Sequence, residues 1–117
     1  SGGAMEAEKI DRRRRYTLSV IREAFFALLA EVGFAKITVA DICRRADINR
    51  GTFYLHYDDK FALLDALIDD SIAEISQATG EEVTMKHMGQ VMKAATGKAA
   101  GKVDGKRLST AVKRRLS

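Results

Sequence analysis

The chain contains no proline, and its apolar residues recur three and four positions apart over most of its 117 residues. Proline is the residue that most strongly breaks a helix, so helical segments of this chain can run without interruption. A spacing of three and four is that of one face of an α-helix, and no stretch alternates in the manner of a half-buried strand. We therefore predict an all-α fold, a helical bundle of about six helices.

The apolar stripes and the capping residues give approximate helix boundaries. Thr38 and Asp41 can form a capping box, Asp47 can adopt positive φ in the turn that follows, and Asp104 can cap the last helix. The stretch TGKAAGKV, residues 96–103, is predicted as a connecting loop. In chain order, the predicted helices run from Asp11 to Glu31, Thr38 to Ala46, Arg50 to Tyr57, Asp58 to Gly80, Glu82 to Ala95, and Asp104 to Leu116. The last two are expected to cover the apolar stripe of the fourth, because each long apolar side chain there gains roughly 1.5–3 kcal/mol on burial. The predicted shared core consists of Phe61, Leu64, Ile68 and Ile72 with Met88, Val91, Met92, Leu108 and Val112.

Composition argues against several classes of function. The single cysteine, Cys43, cannot form an internal disulfide, and with the distant His56 and His87 it gives no tetrahedral metal site, so we expect neither metal nor cofactor. No Ser-His-acid arrangement or phosphate-cradling glycine loop is recognisable, so we expect no enzyme. No apolar run approaches the roughly 20 residues that span a bilayer, and no signal peptide is evident, so we expect no membrane partner and a cytoplasmic location. Residues 1–4, SGGA, are interpreted as a cloning remnant.

The stretch ITVADICRRADINRGTFYLHYDDK, residues 37–60, has the plan of a helix-turn-helix, two short helices joined by a tight turn. The second helix of such a unit enters the DNA major groove, which is about 12 Å wide. Its outward side chains must therefore be small or able to hydrogen-bond to bases and phosphates. If Phe53 and Tyr57 point into the core, the outward residues are Arg50, Thr52, Tyr54 and His56. Gly51 would let the backbone come close to nucleic acid.

These residues resemble the DNA-binding domain of TetR-family transcriptional repressors, over about residues 10–75. The first helix, RYTLSVIREAFFALLAEVGF, and the stretch TFYLHY followed by a lysine and an apolar run carry the resemblance. It implies DNA phosphate contacts for Thr38, Tyr54 and Lys60. It implies contacts with or near the bases for Arg50, Gly51, Thr52 and His56. Cys43 and Asp47 depart from the family, which usually has alanine and glycine there.

The last third of the chain differs from the rest in charge. Residues 81–117 carry nine Lys and Arg against three Asp and Glu, whereas residues 1–80 carry 11 against 13. This segment resembles the C-terminal tail of GatB/YqeY proteins, over about residues 76–117, through MGQVM, GKVDGK and a closing helix. In the GatB subunit of tRNA-dependent amidotransferases the tail lies against tRNA, which implies phosphate contacts. The candidates are Lys102, Lys106, Arg107, Lys113 and Arg114; the alternative is a solvated basic face that keeps the protein soluble.

The two resemblances divide the chain into a TetR-like helix-turn-helix domain at residues 5–78 and a GatB/YqeY-tail-like segment at residues 79–117, packed on it. The first favours a DNA-binding module of the repressor type that lacks the usual effector and dimerisation domain, with duplex DNA as its partner. The alternative is a natural or engineered chimera of two helical fragments without a cellular function. Such a chimera would retain at most non-specific binding of DNA or tRNA.

Overall fold

The computed structural model describes residues 2–117, and this part of the chain forms six α-helices and no β-strand. The helices are α1 (Gly2–Val32), α2 (Val39–Ala46), α3 (Arg50–Tyr54), α4 (Lys60–Thr79), α5 (Met88–Lys98) and α6 (Gly105–Leu116), with short 3-10 turns at Phe34–Lys36 and Met85–His87. The predicted all-α fold is confirmed. Within the same residues, no helix carries an apolar stretch long enough to cross a membrane.

Helix α1 begins nine residues earlier than the sequence analysis predicted, at Gly2. Gly2 to Ala4, which we interpreted as part of a cloning remnant, lie within this helix, and Ser1 lies outside the described residues. The predicted start relied on an apolar stripe, and residues 3–16 have none because they are exposed. Alanine, methionine, glutamate and arginine favour the helix there through their intrinsic propensity.

The boundary between α3 and α4 also differs from the prediction. Helix α3 ends at Tyr54 rather than Tyr57, and the next two residues form a turn. The N-cap of α4 is Asp59 rather than Asp58, because the Asp59 carboxylate accepts a hydrogen bond from the amide of Ala62 at 3.0 Å. Both differences are of a few residues and leave the helix-turn-helix intact.

The fifth helix lies later in the chain than predicted, from Met88 to Lys98. It starts six residues late because Thr84 and His87 first close a 3-10 turn, in which the Thr84 amide donates to Nδ1 of His87 at 3.1 Å. Since Nδ1 accepts, Nε2 of this buried ring carries the proton and donates to the Glu81 carboxylate at 3.0 Å. The helix then continues through residues that we predicted as a loop.

One hydrophobic core runs through both halves of the molecule. In the first half, Ile21, Phe25 and Leu29 of α1 are buried together with Ile42 of α2 and Phe53 of α3. Helix α1 packs on α2, and the Arg45 guanidinium forms an ion pair with the Glu31 carboxylate at 2.7 Å between these two helices. Helix α2 is therefore held against α1, and α3 packs in turn on α2.

Helix α4 connects the two halves. It packs against both α5 and α6, which also pack against each other. The buried members of this second half are Leu63, Leu64, Leu67, Ile68, Val91, Ala95, Ala99, Leu108, Ala111 and Val112, all in the same cluster as the first half. The centre of the predicted shared core is thus confirmed. Phe61 is 40% exposed, however, and Ile72, Met88 and Met92 are only half-buried.

Candidate nucleic-acid interface

Thr38 and Asp41 fix the start of α2 through a reciprocal pair of hydrogen bonds. The Asp41 amide donates to the Thr38 hydroxyl at 3.1 Å, and the Thr38 amide donates to the Asp41 carboxylate at 3.2 Å. This is the predicted capping box, which satisfies two amides that the helix itself leaves unpaired. The hydrogen bonds from Thr38 lower the pKa of the Asp41 carboxyl. Thr38 is exposed, so its position at the N-terminus of α2 is open to solvent.

The turn between α2 and α3 depends on Asp47 and Asn49. Asp47 adopts φ 56° and ψ 50°, the left-handed conformation that we predicted it could adopt in place of glycine. The Asn49 side chain then caps α3 by accepting a hydrogen bond from the Thr52 amide at 2.8 Å. A Cβ atom on Gly51 would lie 3.3 Å from that capping oxygen. Glycine at this position therefore leaves room for the cap as well as for an approaching ligand.

The exposed face of α3 follows the helical period. Phe53 is fully buried, and Tyr57 packs on it with ring centroids 5.9 Å apart. The exposed residues are Arg50, Gly51, Tyr54 (50%) and Leu55 (80%). The predicted outward residues Thr52 and His56 are half-buried, because positions two apart lie on nearly opposite sides of a helix. Leu55 was missed, although its place four residues after Gly51 is the signal that could have identified it.

Arg50 differs from the two arginines of α2. Arg44 pairs with Asp41 at 3.2 Å and Arg45 with Glu31 at 2.7 Å, whereas Arg50 forms no ion pair within residues 2–117. Burial raises the pKa of the Cys43 thiol, and the positive charge of Arg50 acts in the opposite direction. Helix α3 therefore begins with an exposed cation that pairs with no carboxylate of the described chain.

Lys60, at the start of α4, lies against the turn that follows α1. Its ammonium group donates to the Phe34 carbonyl at 2.7 Å and to the Ala35 carbonyl at 3.2 Å. It also lies 4.5 Å from the centroid of the Phe34 ring. Partial burial, followed by the charge of Arg107, lowers the pKa of Lys60. Two of its three N–H donors are thus occupied by backbone oxygens.

The tail brings some of its predicted phosphate ligands to the same turn. The Lys102 carbonyl accepts a hydrogen bond from the Phe34 amide at 3.0 Å, which attaches the loop before α6 to the first half of the molecule. The Arg107 guanidinium lies 5.1 Å from the Phe61 ring centroid and 5.9 Å from that of Phe34. Lys106 and Arg107 line a cavity of about 380 Å³ beside Phe61. We call the four cations Lys60, Lys102, Lys106 and Arg107 the basic edge.

Other cations of the tail have a different environment, because carboxylates of α4 face them. Arg114 pairs with Asp65 at 3.3 Å, and Arg115 donates from Nε to Asp69 at 2.9 Å. Lys98 of α5 pairs with a further α4 carboxylate, Glu74. Lys113 is exposed and lies away from the basic edge, six residues after Arg107 on α6. The tail residues that we predicted as phosphate ligands are therefore not equivalent.

Comparison with known families matches the two halves separately. Residues 21–67 match the family of bacterial regulatory proteins described as the tetR family, and residues 60–116 match the family described as Yqey-like protein. The chain thus joins a segment that is similar to the tetR family to a segment that is similar to Yqey-like proteins. The two matches overlap at residues 60–67, in the first turns of α4. Both families therefore match the start of α4, the helix that lies between the two halves.

One curated relative is similar to the chain over part of its length. The chain is 47% identical over 75 residues to the uncharacterized HTH-type transcriptional regulator YxbF of Bacillus subtilis (strain 168). This stretch is 62% of the chain and 20% of the relative, so the chain spans about one fifth of that protein. No solved structure matches the chain. The segment that matches the tetR family has the arrangement of a helix-turn-helix, and residues 2–117 contain no group of three or more His, Cys, Asp or Glu side chains that could hold a metal ion.

Proposed function

We propose that the chain binds duplex DNA in a sequence-dependent manner through α2 and α3, in a role that requires no catalysis. The exposed, unpaired Arg50 at the start of α3 is the observation that carries this proposal. An arginine in the major groove can donate two hydrogen bonds to O6 and N7 of a guanine, which discriminates that base from the others. The adjacent Gly51 adds no side chain that would keep the helix away from the groove.

The other site residues take roles that suit their positions. Thr38, Tyr54 and Lys60 would contact phosphates, since Thr38 and Tyr54 present hydroxyl groups at the ends of α2 and α3 and Lys60 presents an ammonium group at the start of α4. Thr52 and His56 would contact bases at the edge of the interface. Leu55, which is 80% exposed, would add an apolar contact such as that with a thymine methyl group.

A selection experiment tests this proposal. The protein would be used to select duplexes from a random-sequence pool, and the affinity for a selected duplex would be measured by fluorescence anisotropy with unlabelled tRNA as competitor. We expect a preferred sequence that tRNA displaces poorly. Arg50→Gln should weaken binding by about tenfold to a hundredfold and relax the preference at one base pair. Arg44→Gln, which removes the same charge from a paired arginine, is the matched control and should have a smaller effect.

A different outcome would favour the alternative function. If no sequence is enriched, if tRNA competes as well as DNA, and if Arg50→Gln and Arg44→Gln are equivalent, then the motif acts only as a folding unit with non-specific affinity for nucleic acid. In that case a chimera without a cellular function becomes the better interpretation. The contact between the tail and tRNA stays a prediction that the same competition measures.

A further inference from the structure

The turn at Phe34 is a point where the first half of the molecule contacts both the start of α4 and the tail. Its amide donates to the Lys102 carbonyl, its carbonyl accepts from the Lys60 ammonium group, and its ring lies beneath Lys60 and Arg107. Three separate contacts from three parts of the chain thus converge on one residue. They bring Lys60, from the overlap of the two segments, next to Arg107, which belongs to the Yqey-like segment alone.

The cations at this point are not compensated in the way that other tail cations are. Lys98, Arg114 and Arg115 each face a carboxylate of α4. Within residues 2–117, neither Lys60 nor Arg107 pairs with a carboxylate through its side chain. Asp104, the nearest acid in sequence to Arg107, accepts instead from the Arg107 backbone amide at 3.1 Å and caps α6.

Two like charges held close together are unfavourable unless an anion lies near both. The aromatic rings of Phe34 and Phe61 attract each cation separately but do not remove the repulsion between them. Lys60 retains one N–H donor beyond the two that bind carbonyls, and the guanidinium group of Arg107 can donate to two oxygens of one phosphate. The geometry therefore suits a bound phosphate better than it suits an empty surface.

We propose that Lys60 and Arg107 together bind one phosphate of the DNA backbone, so that the Yqey-like segment enlarges the DNA-binding surface of the helix-turn-helix. This inference rests on the proposed function, since it requires duplex DNA on the same face. The place of Lys60 beside the helix-turn-helix supports the inference. Its ammonium group donates to the Ala35 carbonyl, and Ala35 is three residues before Thr38 at the exposed start of α2. Lys102 and Lys106 lie beside the site and would add longer-range attraction.

The salt dependence of binding tests the inference, because each phosphate contact contributes about 0.9 to the slope of log K against log[salt]. The probe is the duplex selected with the parent protein, and the variants are Arg107→Gln and Lys113→Gln. Both substitutions remove one charge from α6, but Lys113 lies away from the basic edge. We expect Arg107→Gln to weaken binding severalfold to tenfold at moderate salt and to lower the slope by about 0.9. Lys113→Gln should change both quantities much less, and Arg107→Lys should retain most of the slope.

Several outcomes would overturn the inference. If Arg107→Gln and Lys113→Gln shift affinity and slope equally, the tail acts only through its overall charge, while an intact effect of Arg50→Gln would still uphold the proposed function. If Arg107→Gln weakens tRNA binding and leaves duplex binding unchanged, the site belongs to RNA. If the parent binds no duplex, both proposals fail. Circular dichroism checks the fold of each variant, and Lys102→Gln, an exposed change on the same edge, replaces Arg107→Gln if the latter unfolds.

Discussion

The helix pair α2–α3 and the helix pair α5–α6 differ in length, and they are held in place by different interactions. The first pair has helices of eight and five residues, and side chains cap the start of both. The second pair has helices of 11 and 12 residues, which pack on α4 and form ion pairs with its carboxylates. Local hydrogen bonds define the first pair, and contacts distant in sequence define the second.

This difference follows from what each pair has to do. A helix of five residues is far too short to be stable in isolation, so its direction must be set by its caps and by the buried ring of Phe53. Such a helix can present Arg50 and Tyr54 at a fixed angle while exposing most of its surface. The tail pair buries an apolar stripe of α4 by ordinary packing, and at its edge α6 adds the Arg107 cation beside Phe34 and Phe61. The first pair thus holds exposed side chains in a fixed direction, and the second pair covers the core.

Removing a buried side chain from each pair should give the largest effect. Phe53→Ala should lower the free energy of unfolding by about 3–5 kcal/mol and Leu108→Ala by about 2–5 kcal/mol, since both side chains are buried. Because one core contains both, we expect each variant to shift a single transition. Tyrosine fluorescence reports on the first half alone, since Tyr16, Tyr54 and Tyr57 are the tyrosines of this chain, which has no tryptophan. Circular dichroism reports on all the helices.

Coincident transitions by the two probes in urea would confirm one cooperative unit. If Leu108→Ala shifts the circular dichroism transition and leaves the tyrosine transition in place, then the two halves unfold separately, as two domains. Leu55→Ala is the control, because this exposed side chain should change the free energy of unfolding by less than about 0.5 kcal/mol.

Removing a cap should have a smaller and more local effect. Asn49→Ala takes away the acceptor of the Thr52 amide, and Asp104→Ala takes away the acceptor of the Arg107 amide. Each should lower the free energy of unfolding by about 1 kcal/mol. Amide hydrogen exchange should separate them, with faster exchange in α3 for Asn49→Ala and in α6 for Asp104→Ala. Equal acceleration in both helices would contradict the view that the first pair is held locally.

The sequence was sufficient for those features that local rules decide. The capping box of Thr38 and Asp41, the left-handed Asp47 and the Asp104 cap were all predicted, because each depends on a few neighbouring residues. The centre of the shared core was also predicted from the apolar stripes. The start of α1 and the turn at Thr84 and His87 were not, since an exposed helix has no stripe and a histidine that accepts from a backbone amide has no sequence signature.

The candidate site was harder to predict because it depends on contacts between distant parts of the chain. From the sequence, we predicted Lys60 in the first half as a ligand of DNA phosphate and Arg107 in the tail as a ligand of RNA phosphate. Their shared position above Phe34 follows from the docking of the loop at Lys102, which is set by the packing of α4 with α5 and α6. The separation of Arg114 from the basic edge likewise depends on its pairing with Asp65.

The smallest expected effect concerns the ion pair between Asp69 and Arg115, which joins α4 to α6. The hydrogen bond to Asp69 raises the pKa of Arg115, which marks a favourable interaction, but both side chains are partly exposed and solvent screens it. A double-mutant cycle with Asp69→Asn and Arg115→Gln should give a coupling free energy of about 0.2–1 kcal/mol that falls as salt is raised. Asn49→Ala should lower the free energy of unfolding by the same amount at low and at high salt, because the hydrogen bond of Asn49 involves neutral groups. If instead the coupling free energy is zero at low salt, packing alone holds the tail on α4. The two helix pairs would then differ in how far apart in sequence their contacting residues lie, but not in how strongly they depend on charge.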